Sequence, residues 1–203
     1  MTEPRRTQEE RRVEAEQRLL AAAAELIGEL GPSGVTLANI GERAGYSRGL
    51  ATHHFGSKGA MMQRLVDSVT VEFRREVFAE SVSDSALDEA MGLVSAYFQA
   101  LSHPKPASRA RLMLWADAVA TGSPDVRPSM VASDREFRDE LAKRIERGVS
   151  SGEIARSIDP GGLAAVVVGM LRGVALQSML DDELDLDACR AEVEEVLRSR
   201  VLP

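Results

Sequence analysis

The stretch AGYSRGLATHHFGSK, Ala44 to Lys58, constrains this chain more than any other feature. Just before it, TLANIGERA carries Leu37, Ile40 and Ala44 at helical spacing behind Thr36, a residue suited to an N-cap. Gly45 tolerates the positive φ that a tight turn between two helices requires. Ser47 is then placed to cap a second short helix running to about His54. FGSK breaks the chain again, and Ser57 can cap a long helix with Met62, Leu65, Val66, Val69, Phe73 and Val77 on one stripe, running to about Glu80. Two short helices joined by a glycine turn describe a helix-turn-helix, whose second helix can enter the major groove of DNA.

The two adjacent histidines invite a metal reading, which the spacing opposes. Neighbouring helical residues diverge by about 100°, so His53 and His54 cannot easily share an ion. His103 is the only other histidine and Cys189 the only cysteine. No metal or other cofactor is expected.

The remaining chain reads as helix throughout. Val13, Leu19, Ala23, Leu26, Ile27 and Leu30 recur at spacings of three and four from about Glu9, and GPSG ends that run. Residues 1–8, with Arg5 and Arg6, read as an arm able to reach along DNA. Further helices are expected near 85–102, 106–121, 125–151, 160–181 and 187–201, separated at HPKP, TGSP and SGEIARSIDPGG. The Val166–Val168 run is β-prone alone but lies within a longer helical context. The expected fold class is all-α.

Composition sets the remaining bounds. A chain of 203 residues, 44% hydrophobic and 28% charged, is globular in type. Its longest apolar run, GGLAAVVVGML, is shorter than the roughly 18 residues of a membrane span, so no membrane partner is expected. The absence of a signal-type apolar leader and the single cysteine fit a cytoplasmic setting. The net charge of −7 is unevenly placed. Up to Arg64, nine basic residues stand against eight acidic ones; the remainder holds 16 and 24, so the acidity belongs to the C-terminal part. A near-neutral front can still present a basic face to nucleic acid.

From Leu19 to Val66 the sequence resembles the DNA-binding domain of the TetR family of transcriptional regulators, through LLAAAAELIGELG and VTLANIGERAGYSRGLATHHFGSKGAMMQRLV. Gly45, Ser47, Gly49, His53, Phe55, Ser57, Lys58 and Ala60 coincide with the family pattern, and Arg48 stands for the usual lysine. Thr52, and often His54, replace tyrosines. Gly59 replaces a glutamate, which on this reading removes a capping-box bond after Ser57. The resemblance implies an N-terminal three-helix helix-turn-helix DNA-binding domain over residues 1–60. A C-terminal helical domain over 61–203 would serve ligand binding and dimerisation. It implies an effector-released repressor that binds a palindromic double-stranded DNA operator as a homodimer. Candidate DNA-binding residues are Thr36, Ser47, Arg48, Gly49, Thr52, His53, His54 and Lys58.

Met91, Phe98, Met113, Trp115 and Met170 could line a pocket for a lipophilic small-molecule effector, or could be core. GMLRG places Gly169 and Gly173 on one helix face, where a symmetry mate could pack closely. Leu176, with Val193 and Leu197 on the last helix, would complete that dimer interface. Arg172 needs a carboxylate or solvent there. No Ser/His/Asp set, paired-acid motif or phosphate loop is present, so an enzyme is not expected. The alternative reading is a helical protein-interaction adaptor without DNA binding.

Overall fold

The computed structural model describes residues 7–78, 83 and 85–201. Among them it holds nine α-helices and no strand: α1 (Gln8–Leu30), α2 (Leu37–Arg43), α3 (Leu50–Phe55), α4 (Lys58–Val77), α5 (Ala86–Ser102), α6 (Pro106–Ala120), α7 (Arg127–Ser151), α8 (Pro160–Ser178) and α9 (Leu186–Val201). The expected arm at Arg5 and Arg6, and the expected end of α4 at Glu80, lie outside the described residues. Thr7 does not belong to an arm. It is the N-cap of α1, in a capping box with Glu10.

The helices form two compact units, divided otherwise than at residue 60. One comprises the chain up to Glu72 together with Pro106–Met130; the other comprises Phe73–Lys105 and Val131–Pro203. The reason lies in α6, which packs along α1 although far from it in sequence. Arg109 of α6 donates from Nε to the Gly28 carbonyl at 2.9 Å, where Gly28 leaves room for its side chain.

In the first unit α1, α2, α3, α4 and α6 share one core. Leu19, Ala23, Ile27, Val35, Ile40, Ala51, Met61 and Leu114 are wholly buried in it. Val35 enters from the link between α1 and α2, so the segment feeding the helix-turn-helix is itself anchored.

In the second unit α5 packs against α8 and α9. Phe73, Tyr97 and Phe137 meet edge-to-face or stacked, with Phe73 and Phe137 centroids 5.3 Å apart, and Phe78 edges onto Phe137. By length and composition α8 could cross a membrane. Arg172, in the middle of that helix and almost buried, instead pairs with Asp134 of α7, which also holds Arg138. A buried charge paired on a neighbouring helix ties one face of α8 into this unit. The Val166–Val168 run lies inside it.

Candidate nucleic-acid interface

The turn between α2 and α3 is built almost wholly by the backbone. Thr36 caps α2 in a box with Asn39: its Oγ1 accepts from the Asn39 amide at 3.2 Å, and Asn39 Oδ1 accepts from the Thr36 amide at 2.8 Å. At the far end Gly45 takes φ +78°, its amide donates to Glu42, and the Tyr46 amide reaches back to Gly41 at 2.8 Å. That pair of bonds is a Schellman closure, which satisfies the last carbonyls of α2 and reverses the chain. Gly41 makes it sterically possible, since a Cβ there would lie 2.6 Å from the Ser47 carbonyl oxygen.

Ser47 does not cap α3. The Leu50 amide bonds to the Ser47 carbonyl at 3.1 Å, making Ser47–Leu50 a turn, and α3 begins at Leu50 behind Gly49 with no side-chain cap. The following helix starts as expected, with Ser57 Oγ accepting from the Ala60 amide at 3.1 Å. Ala60 is therefore the residue that a reciprocal capping bond would involve, and Gly59 removes none. Gly59 instead leaves space for the Asp125 carboxylate, which would lie 2.7 Å from a Cβ at that position.

Ala51 seats α3 in the core, with Leu50 and Phe55 half-buried beside it. Of the eight candidate residues, Thr36, Ser47, Arg48, Gly49, Thr52, His53 and Lys58 are exposed. Gly49, Thr52 and His53 share one face of α3 by their three- and four-residue spacing. A helix face that is exposed, carries small residues at Gly49 and Thr52, and is flanked by Arg48 and Lys58 suits close approach to a polyanionic groove.

His54 is turned away from this face. Its side chain is only 9% exposed, and its Nε2 lies 3.2 Å from Glu16 Oε2 on α1. Arg48 pairs with Glu42 of α2, a hydrogen bond that raises the guanidinium above its ordinary pKa. Arg43 is held by Glu29 and Glu25 of α1, which locks α2 to α1. Arg18 donates to the Ala44 carbonyl at 3.0 Å and covers the Tyr46 ring at 4.9 Å. Gly41, Glu16 and Arg18 escaped the sequence reading. Glu16 and Arg18 act across long sequence separations.

The five residues expected around an effector are dispersed. Met113 and Trp115 pack on the core of the first unit. In the second, Phe98 is buried, Met170 half-buried, and Met91 lines an apolar gap of about 20 Å³, smaller than any effector. The second unit has instead an open cleft of about 640 Å³, lined by Glu76, Phe78, Glu89, Glu140, Lys143 and Arg144 among others. Its charges are interlinked: Arg144 bonds Glu140 at 2.7 Å and covers the Phe78 ring at 5.4 Å, and Arg147 pairs with Glu89.

Among the residues expected at a dimer interface, Gly169 is exposed, and Gly173 and Leu176 are half-exposed. Val193 and Leu197 are buried within the subunit. Val166 on α8 and Val196 on α9 are exposed large apolar residues of those helices, at 59% and 50%.

Comparison with known proteins covers most of the chain. Residues 19–65 match the family of bacterial regulatory proteins named tetR, and residues 86–202 match the C-terminal domain of BetI-type transcriptional repressors. The HTH-type transcriptional regulator BetI of Paraburkholderia phytofirmans is 26% identical over 188 residues, covering 90% of this chain and 93% of that protein. A TetR transcriptional regulator from Chloroflexus aurantiacus superposes with a TM-score of 0.85 at 19% identity, over 95% of this chain and 98% of that one. A transcriptional regulator from Saccharomonospora viridis, solved in complex with choline, superposes with a TM-score of 0.80 at 21% identity, over 94% and 99%. The chain therefore belongs to the TetR family, with a BetI-type repressor C-terminal domain, and is a helix-turn-helix DNA-binding transcriptional regulator.

Proposed function

We propose that this regulator acts in the cytoplasm as a homodimeric repressor, with α3 of each protomer in a major groove of a palindromic operator. The observation that carries the reading is the exposed face of Gly49, Thr52 and His53 between Arg48 and Lys58. Arg48 and Thr52 read base edges; Lys58, Ser47, His53 and the α2 cap Thr36 grip phosphates; Gly49 allows close approach. The adaptor reading has nothing in its favour once the family is known, and no catalytic step is needed.

The dimer forms through α8 and α9, around Gly169, Gly173 and the exposed Val166 and Val196. Both glycines are open, with nothing within 4 Å of a Cβ built on them. Small residues there let a second helix approach closely.

The effector binds the charged cleft of the second unit and is a small polar organic ion rather than a lipophile. Choline, bound by the Saccharomonospora viridis neighbour, is the first candidate: carboxylates at Glu76, Glu89 and Glu140 and the Phe78 ring suit a quaternary ammonium. Two helices, α4 and α7, each run from one unit into the other and carry the message. A ~100-fold loss of operator affinity needs about 2.7 kcal/mol of coupling between effector and DNA. Titration calorimetry with choline, followed by gel shift with and without it, tests this. Heat of binding with release of DNA is expected; saturating choline with no heat and no release contradicts the effector assignment.

A further inference from the structure

A recognition helix of six residues has no stability of its own, so its orientation must come from tertiary contacts. Its inner face is held by the small Ala51, with Leu50 and Phe55 half-buried beside it. A polar contact adds to this at the C-terminal turn, where His54 Nε2 meets Glu16 Oε2 at 3.2 Å and Glu16 Oε1 accepts from Arg64 at 2.7 Å. The triad joins α1, α3 and α4. Glu16 is itself only 21% exposed, and the His54 ring is backed by Phe55 at 4.8 Å. A carboxylate only accepts, so this contact is a hydrogen bond when Nε2 of His54 carries the proton.

We propose that Glu16 is the positioning residue of the recognition helix, acting through His54, and that His54 makes no DNA contact. Glu16 sets the angle at which Thr52 and His53 meet the groove, and Arg64 orients the carboxylate. The proposal rests on the DNA-binding reading of α3, but the imidazole it concerns can be observed without DNA.

The experiment combines two measurements. The first is ¹⁵N NMR of the imidazoles in the free protein, wild type and Glu16→Ala, to read the tautomer of His54. The second is the salt dependence of affinity for a duplex recovered by selection with the wild-type protein, for wild type, Glu16→Ala, Glu16→Gln and His54→Gln. Unfolding of each variant is monitored. The expected result is an Nε2–H tautomer in the wild type that becomes mixed in Glu16→Ala. Operator affinity should fall about tenfold in Glu16→Ala and His54→Gln, with the slope of log affinity against log salt unchanged. Glu16→Gln, whose amide oxygen still accepts from Nε2, should recover most of the loss. A slope shallower by about one phosphate contact in His54→Gln would make His54 a DNA contact and overturn the proposal. So would wild-type affinity in a folded Glu16→Ala, or an Nδ1–H tautomer in the wild type. If Glu16→Ala does not fold, Glu16→Gln and the wild-type tautomer decide. A wild type that selects no duplex refutes the DNA reading instead, and the tautomer still tests the triad.

Discussion

Arg48, which the proposed function has reading a base, is ion-paired with Glu42 of the helix before it, and both side chains are exposed. The pair must open, or share its donors, when Arg48 turns to a guanine or a phosphate. An exposed pair is worth about 1 kcal/mol or less, so this restraint is small, but Glu42 also places a negative charge beside the DNA. Glu42→Gln should therefore tighten DNA binding several-fold while leaving stability within about 0.5 kcal/mol. Gel shift at fixed salt checks it, and weaker binding by the variant would mean that Glu42 orients Arg48 productively.

Gly41→Ala is expected to damage the turn. The added methyl would meet a backbone oxygen, which cannot rotate away as a side chain can. A loss of about 1–3 kcal/mol in unfolding free energy, with weakened operator binding, is expected from denaturant titration and gel shift. Unchanged stability would mean that the α2–α3 turn is looser than described.

On α9 neighbouring positions should behave oppositely. Val196 is half-exposed, whereas Leu197 is 6% exposed and packs inside the subunit. Val196→Asp should give a folded monomer by analytical ultracentrifugation and lose operator binding. Leu197→Ala should remain dimeric at low temperature but lose about 2–5 kcal/mol of stability. A folded dimer in Val196→Asp would place the subunit contact elsewhere.

Two carboxylates predict the acid limb of stability. Glu153 accepts from Ser85 Oγ and Ser151 Oγ, each at 2.7 Å, and from the Leu87 amide, and these bonds lower its pKa below the ordinary 4.5. Glu29 is likewise lowered by its hydrogen bonds from Arg43. A lowered folded value means the unfolded chain binds more protons over this range. The contribution is full above the ordinary carboxylate value and is lost as pH falls through the folded one. Denaturant midpoints measured from pH 7 to 3 should fall below about pH 4.5, and less steeply in Glu153→Gln. An identical slope in the variant would remove Glu153 from the account.

Much of this architecture was legible because it is written locally. The cap at Thr36, the positive φ at Gly45 and the cap at Ser57 follow from neighbours in sequence, and the helices expected near 85–102 and 160–181 are observed at 86–102 and 160–178. The capping box Thr7–Glu10 was equally local, in TQEE, but was hidden by the Arg-rich residues before it. What stayed illegible depends on partners distant in the chain. Nothing near the two adjacent histidines says that His54 is drawn inward, because Glu16 lies 38 residues upstream. Val193 and Leu197 sit on a helix whose apolar residues fall on both faces, so periodicity alone could not tell core from interface. The methionines and Trp115 suggested a pocket by residue type, whereas the open cleft brings together Glu76, Glu89, Glu140, Lys143 and Arg144 from separate helices.

The most direct test of the central claim is selection of bound duplexes from a random pool, with the wild type compared against an Arg48→Ala, Lys58→Ala double variant. The account predicts a recovered palindrome with half-sites about one helical turn or more apart, enriched by the wild type and not by the variant. A folded wild-type dimer that enriches no sequence, or a variant that enriches the same palindrome equally well, would contradict the assignment of α3 and its flanking cations as the DNA-reading surface.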